Sequence, residues 1–494
     1  MPLVLGVDSS TQATKVEVRD VDTGELVAAG RAPHAPVSPP RAEQDPAAWW
    51  AALARAVFDA GVDDVAALAV AGQQHGLVAL DDAGTVLRPA KLWNDTESAP
   101  DARRLVARLG PAGWSEACGS VPVASFTVTK VAWLAEHEPE VLDRLATLLL
   151  PHDWLTHQLT GRAVTDRGDA SGTGYWSPAT GRWRPDLLDL AAPRPGGWVG
   201  ALPTVLGPTE PAGPLTPWAA DQLGLRAGAL VGPGTGDNMA AALGVGLAGG
   251  DVAISVGTSG TVFATSPTPT ADASGAVAGF ADATGRFLPL VCTLNAALVL
   301  DAVARLLAVD HASFDQLALT APAGAEGLVL LPYLAGERTP NRPDATGTLT
   351  GLRPDVSRAA LARAAVEGVV CGLLDGLDAL VAAGVPIADA GRLVLVGGGA
   401  RSAAVRQVVA DLTGRPVTLP AGDEHVAAGA CVKAAAVLLE RDPVEVARAW
   451  AGDEAVTVEP GPQVEHRDQV RGAYARVRDE QADPPPGRDT DPDR

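Results

Sequence analysis

Three short stretches combine carboxylates, hydroxyls and glycines in ways that suit the handling of a phosphate. In "VLGVDSSTQATKVEV" (4–18) an apolar run stops at Asp8, small hydroxyls follow at Ser9, Ser10, Thr11 and Thr14, and apolar alternation resumes after Lys15. A carboxylate at the end of a buried strand points into a cleft in many α/β proteins. Beside a phosphate it needs a divalent cation between the two charges, so Asp8 with its hydroxyls suggests magnesium and a nucleotide. The alternative is an Asx turn in which Asp8 only satisfies the backbone N–H groups of residues 10 and 11. In "GPGTGDNMAAALGVG" (232–246) Asp237 stands in a glycine-rich turn before a helix of small residues. There it can take the proton of a hydroxyl that attacks phosphorus, or it can serve as a helix N-cap. In "LVLVGGGARS" (393–402) three glycines link a strand to a helix. Bare backbone at a helix N-terminus accepts a flat or phosphorylated ligand, although the spacing is neither a dinucleotide fingerprint nor a Walker loop.

Two further turns carry polar groups suited to sugar hydroxyls. "AGQQHGLVAL" (71–80) places Gln74 and His75 between two strands, and "LWNDTES" (92–98) offers Trp93 to stack on a sugar face with Asn94 and Asp95 to bond its hydroxyls. The structural alternatives are an exposed turn histidine and a packed tryptophan beside an Asx turn.

The elements that must hold these residues are readable from local pattern. Residues 3–7, 14–21 and 25–33 read as strands joined by tight turns. Asp45 and Pro46 read as the N-cap and first residue of a helix that Gly61 ends. Residues 65–72 form a buried strand, 100–190 are mostly helical, and 191–235 are rich in Pro and Gly, approaching a domain boundary. Strand, turn and strand return at 251–265, and a long helix is expected from Ser357 to Ala383. "AISVGTSGTVFAT" (253–265) repeats the pattern of residues 4–18. Two domains of one architecture, each presenting a hydroxyl-rich hairpin tip, can grip a phosphate chain from both sides of a cleft. A length of 494 residues also favours two domains.

Composition excludes several partners. The net charge of −21 repels phosphate backbones, so nucleic acid is not expected as a partner. No stretch is long and apolar enough for a membrane span, and nothing resembles a signal peptide. Cys118, Cys292, Cys371 and Cys431 show no CxxC spacing and read as free thiols in a reducing cytoplasm. The tail "ADPPPGRDTDPDR" (482–494) reads as disordered.

Taken in order, these motifs resemble the FGGY family of carbohydrate kinases from Val4 to about Ala435. "SFTVTKVAWLAEH" (125–137) fits one family signature, and "GTLTGL" (347–352) with the helix ending at Glu367 fits most of another. "EQDPAAWW", "AGQQHG", "LWND", "GDNMAAALGVG" and "LPYLAGERTP" resemble the branch that acts on D-xylulose. The resemblance implies an α/β fold of two ribonuclease-H-like domains, related to actin and hexokinase, with ATP and magnesium in the cleft. It divides the chain into an N-terminal domain (1–245), a C-terminal domain (246–455) and an extension (456–494). It implies transfer of phosphate from ATP to D-xylulose, with Asp237 as general base, Asp8 on the metal side, and Gln74, His75, Asp237 and Asn238 as sugar contacts. Ser10, Thr11 and Lys15 would form the first phosphate turn, Gly257, Thr258 and Ser259 the second, and Gly398, Gly399 and Ala400 the adenosine turn. Departures from the family pattern are Ser10 for Gly, Gln74 for Met, Glu97 for Arg and Ala360 for a polar residue. A homodimer is compatible with these motifs but is not encoded by them. The competing readings are a kinase for another ketose, a pentitol, gluconate or glycerol, an actin-fold ATPase of chaperone or cytoskeletal type, and a sugar sensor without catalysis.

Overall fold

In the computed structural model, residues 2–451 and 455–481 are described. The tail from residue 482, expected to be disordered, lies outside the described residues. The first strand, Leu3–Ser9, pairs antiparallel with Ala13–Asp20, which pairs antiparallel with Leu26–Pro33. On its other side Leu3–Ser9 runs parallel to Ala67–Gly72, which runs parallel to Leu230–Val231. The second sheet repeats this plan: Val252–Val256 pairs antiparallel with Gly260–Ala264, and that strand with Phe287–Thr293. Val252–Val256 then runs parallel to Leu393–Val396, and that strand to Val417–Leu419. Both sheets have the strand order 3-2-1-4-5, the ribonuclease-H-like arrangement that the family resemblance implies.

Local chemistry explains the hairpins and helices. Val4, Leu5, Val7, Val16 and Val18 are buried, so the first hairpin is covered on both faces and leaves only its tip open. Asp45 caps the helix Pro46–Ala60 by accepting from the Ala47 N–H, and Gly61 closes it at φ 68°. Ser357 caps the helix Arg358–Ala382 by accepting from the Ala360 N–H at 2.9 Å.

The chain then crosses back between the halves. The helix His425–Leu439 follows the last parallel strand of the second sheet, yet it packs on the first sheet and on the helix Asp237–Gly244. Cys431 Sγ reaches the Glu17 carbonyl at 3.3 Å, and Trp450 Nε1 donates to the Val21 carbonyl at 3.1 Å. The two helices touch through glycine: a Cβ on Gly429 would collide with the Ala240 carbonyl, and one on Gly244 with the His425 carbonyl. Beyond residue 455, Val456–Val458 joins the edge of the second sheet, and the helix Arg467–Glu480 buries Val470 and Tyr474 in its core. Residues 456–481 of the expected extension therefore pack on the second sheet.

Gly429→Ala has no room at this crossing. Overpacking of this kind costs about 1–3 kcal/mol, and urea unfolding should show that loss as a lower midpoint with the same slope.

Candidate active site

The first residue of the helix Asp237–Gly244 is Asp237 itself, and Gly236 is its N-cap. The capping alternative is thus set aside: the carboxylate lies one position inside the helix. Its Oδ1 accepts from the Asn238 backbone N–H at 2.8 Å and from Asn238 Nδ2 at 3.0 Å. Its Oδ2 accepts no hydrogen bond among the described residues. Loss of hydration, with the Asp8 charge nearby, pushes Asp237 up to about 7. Asp8 ends its strand opposite Lys15 and Ala71 and is buried. It accepts from the Ser10 hydroxyl rather than from the backbone of the turn. Burial raises it, and the Lys15 ammonium, 3.5 Å from Oδ2, works against that rise.

The turn of Gln74 and His75 closes one side. Gln74 Oε1 accepts from Asn238 Nδ2 at 2.8 Å, which joins this turn to the helix Asp237–Gly244. His75 sits at φ 66°, stacked on Phe126 at 5.1 Å and tilted against Phe280 at 5.5 Å. Burial, with the Arg338 and Lys130 cations near, holds its imidazole well below its usual range, so it is neutral at pH 7. Phe280 and Arg338 belong to the second half of the chain, so the pocket around His75 draws on both domains. Gln74 Nε2, His75 Nδ1 and Asn94 Oδ1 are buried without a partner among the described residues, which leaves them for a ligand.

Trp93 is placed by a web that sequence reasoning missed. Its Nε1 donates to Thr11 Oγ1 at 2.9 Å, and Thr11 Oγ1 donates to Gln73 Oε1 at 3.1 Å. Gln44 Nε2 donates to the Thr11 carbonyl at 3.1 Å. The Thr11 hydroxyl, expected to face phosphate, instead links the first hydroxyl turn to the Trp93 side. The doubled glutamine of "QQH" was the available signal for Gln73.

Asp95 departs from expectation. It is fully buried, its Oδ2 accepts from Ala42 N and Lys91 Nζ, and its Oδ1 accepts from Glu97 N. Both oxygens are engaged inside the protein, so the side chain is structural rather than a sugar contact. Glu43, Asp95 and Glu97 are close enough together to hold a metal ion, but Lys91 Nζ already stands among them at 3.1, 3.2 and 2.5 Å. Its ammonium also lies 3.8 Å from the Trp133 ring centroid. Glu97, the charge departure from the family pattern, is thereby neutralised within its own loop.

On the nucleotide side, Lys15 reaches across the domains. Its Nζ lies 2.5 Å from Glu424 Oε2, just before the helix His425–Leu439. Gly257, Thr258 and Ser259 form the tip of the second hairpin, partly open to solvent. In the adenosine turn, Gly398 faces open space, Gly399 presses on Val256, and Ala400 is buried. The fold brings the two hairpin tips, Asp8 and Asp237 to the same ends of the parallel strands, where α/β sheets bind ligands.

Residues 3–244 match the N-terminal domain of the FGGY family of carbohydrate kinases, and residues 252–438 match its C-terminal domain. The chain belongs to the FGGY family of carbohydrate kinases. The kinase is 48% identical over 452 residues to a xylulose kinase of Streptomyces rubiginosus, covering 91% of each chain. A solved xylulose kinase from Bifidobacterium adolescentis superposes with a TM-score of 0.84 at 44% identity, covering 97% of this chain and 99% of that one. A solved gluconate kinase from Lactobacillus acidophilus gives a TM-score of 0.88 at 25% identity, covering 97% and 98%. Family membership rules out the chaperone and cytoskeletal readings. Among the described residues, no helix is long and apolar enough to cross a membrane.

The lysine in the carboxylate cluster has a measurable weight. Lys91→Met leaves three close carboxylates without a cation, which costs about 3–5 kcal/mol of stability when a buried pair is broken. Burial raises the Glu43 carboxyl, and the Arg88 and Lys91 cations hold it down; with Lys91 gone it rises, so the deficit measured by urea unfolding should be larger at pH 7 than at pH 5.

Proposed function

We propose that this kinase transfers the γ-phosphate of ATP to D-xylulose, giving D-xylulose 5-phosphate and ADP, with Asp237 as general base. The observation that carries the mechanism is the Asp237 carboxylate. It has one oxygen fixed by Asn238, one free, and an affinity for protons that loss of hydration raises to about 7. A base poised near the working pH accepts a proton in the transition state most effectively. Oδ2 takes the proton of the sugar hydroxyl as that oxygen attacks phosphorus. Asn238 keeps Oδ1 from turning toward the substrate, and Gln74 holds Asn238. Neutral His75 offers one donor and one acceptor to sugar hydroxyls without adding charge. The choice of sugar is supported by the xylulose kinase relatives. The gluconate kinase shares the same fold, so fold alone does not choose.

The donor set fits magnesium with a nucleotide: Asp8 is a hard oxygen donor at the strand end, beside a hydroxyl turn and the Lys15 ammonium. Asp8 would hold the ion, and Ser10, Lys15, Thr258 and Ser259 would receive the phosphates. When bound, magnesium neutralises phosphate charge. The protein itself supplies the base, orients the sugar and closes the cleft against water.

An ADP-release assay over xylulose, other ketoses, pentitols, gluconate and glycerol tests the reading. D-xylulose should give the highest kcat/KM, and a higher value for any other acceptor would reassign the sugar. Asp237→Asn should lower kcat by about 10²–10⁴-fold. Because the ionised carboxylate is the active form, wild-type kcat/KM for the sugar should fall as pH drops below about 7. A profile flat from pH 5 to 8 would remove Asp237 from the role.

A further inference from the structure

Beneath the turns that carry Gln74 and Asp237 lies a cluster of ionisable groups that no step above uses. His152, Asp153, Asp166 and Asp169 are all buried. His152 Nε2 is 3.2 Å from Asp153 Oδ1, 3.4 Å from Asp169 Oδ2 and 3.6 Å from Asp166 Oδ1. Three carboxylates and an imidazole in a dry interior cannot all be charged. Burial pushes Asp153 and Asp169 well above the usual carboxylate range and takes His152 down to about 4. Burial thus favours the uncharged forms of His152, Asp153 and Asp169, and the close approaches of His152 Nε2 to these carboxyls are contacts without a hydrogen bond.

Its members reach both working turns. Asp166 Oδ2 accepts from Thr235 Oγ1 at 2.8 Å, two residues before Asp237. The His152 ring lies against the same loop, since a Cβ on Gly234 would stand 2.7 Å from its Nδ1. A Cβ on Gly72, at the end of the strand leading to Gln74, would stand 3.0 Å from His152 Cβ. Both carboxyl oxygens of Asp169 are buried without a hydrogen-bond partner among the described residues, and the Asp169 carbonyl packs against Gly172, beneath the His75 ring. Three residues further on, Gly172 touches the His75 ring so closely that any Cβ would collide with it. His75 needs such support, because its left-handed backbone is unfavourable for a residue other than glycine.

We propose that Asp169 and His152 are positioning residues of the phosphoryl transfer, which lock the His75 turn and the Asp237 turn at one separation, so that the sugar hydroxyl meets its base. This rests on the assignment of Gln74 and His75 to the sugar.

Asp169→Asn keeps the shape but replaces the buried carboxyl beside His152, and Thr235→Val cuts the tie to Asp166. Asp169→Asn should raise the sugar KM about tenfold, because small misplacements of the groups around a reacting centre are costly, and leave the ATP KM unchanged. Thr235→Val should lower kcat by a similar factor. The double variant should lose less than the product of the single effects, because both act through one unit. A merely structural role would lower Tm and the active fraction without separating the two KM values. Equal shifts in both KM values, or effects that multiply, would overturn the inference. If Asp169→Asn does not fold, His152→Gln enters the same assays with the same expected separation. His75→Ala separates the two levels. If it leaves the sugar KM unchanged, the sugar assignment fails. If it raises that KM and Asp169→Asn does not, only the positioning role fails.

Discussion

Two helices from different halves of the chain meet with no side chain between them, and the site is mounted on that contact. Asp237 begins one helix, and Glu424 stands immediately before the other. Gly244 and Gly429 allow the backbones to touch. The returning helix packs on the first sheet as well as on the Asp237 helix, so this contact ties the last part of the second half to the first domain. Lys15, in the strand Ala13–Asp20 of the first sheet, pairs with Glu424 there, and Asn238 fixes one oxygen of Asp237 beside it.

The acidity of the chain is managed locally. Two groups of carboxylates near the site have their own compensating cation: an ammonium stands among Glu43, Asp95 and Glu97, and another between Asp8 and Glu424. Asp237 Oδ2 accepts no hydrogen bond among the described residues, and burial with Asp8 nearby raises its carboxyl to about 7. In a low-dielectric setting an uncompensated carboxylate gains basicity, which the deeper Asp153 and Asp169 share.

What could be read from sequence was what is local. The strand–hydroxyl–strand pattern, the Asp45 and Ser357 caps, the glycine turn after Val396 and the Asp237 helix all depend on neighbours within a few residues. The repeated hairpin pointed to two domains of one plan, and the family resemblance supplied the ribonuclease-H-like core. Asp95 was misread because nothing local shows that Lys91, one turn earlier, points inward among three acids. The support of His75 comes from Phe126, Gly172 and Phe280, far apart in sequence, and no periodicity links them. The return of the helix His425–Leu439 to the first sheet was equally silent, since its small residues look the same whichever sheet they cover.

The four lysines, Lys15, Lys91, Lys130 and Lys433, share one property. Lys91, Lys130 and Lys433 are buried, and Lys15 is only about a quarter exposed, in the cleft. Buried Lys130 donates to the carbonyls of Ala124 and Ser125, and Lys433 to those of Pro208 and Ala283. The compact ammonium fits corners where a flat guanidinium would not, and the exposed cations are arginines. The folded surface thus offers amine-directed chemistry almost no side-chain target. An acylating reagent or a primary-amine crosslinker would find Lys15 first, so its labelling rate reports on whether the cleft is open or filled.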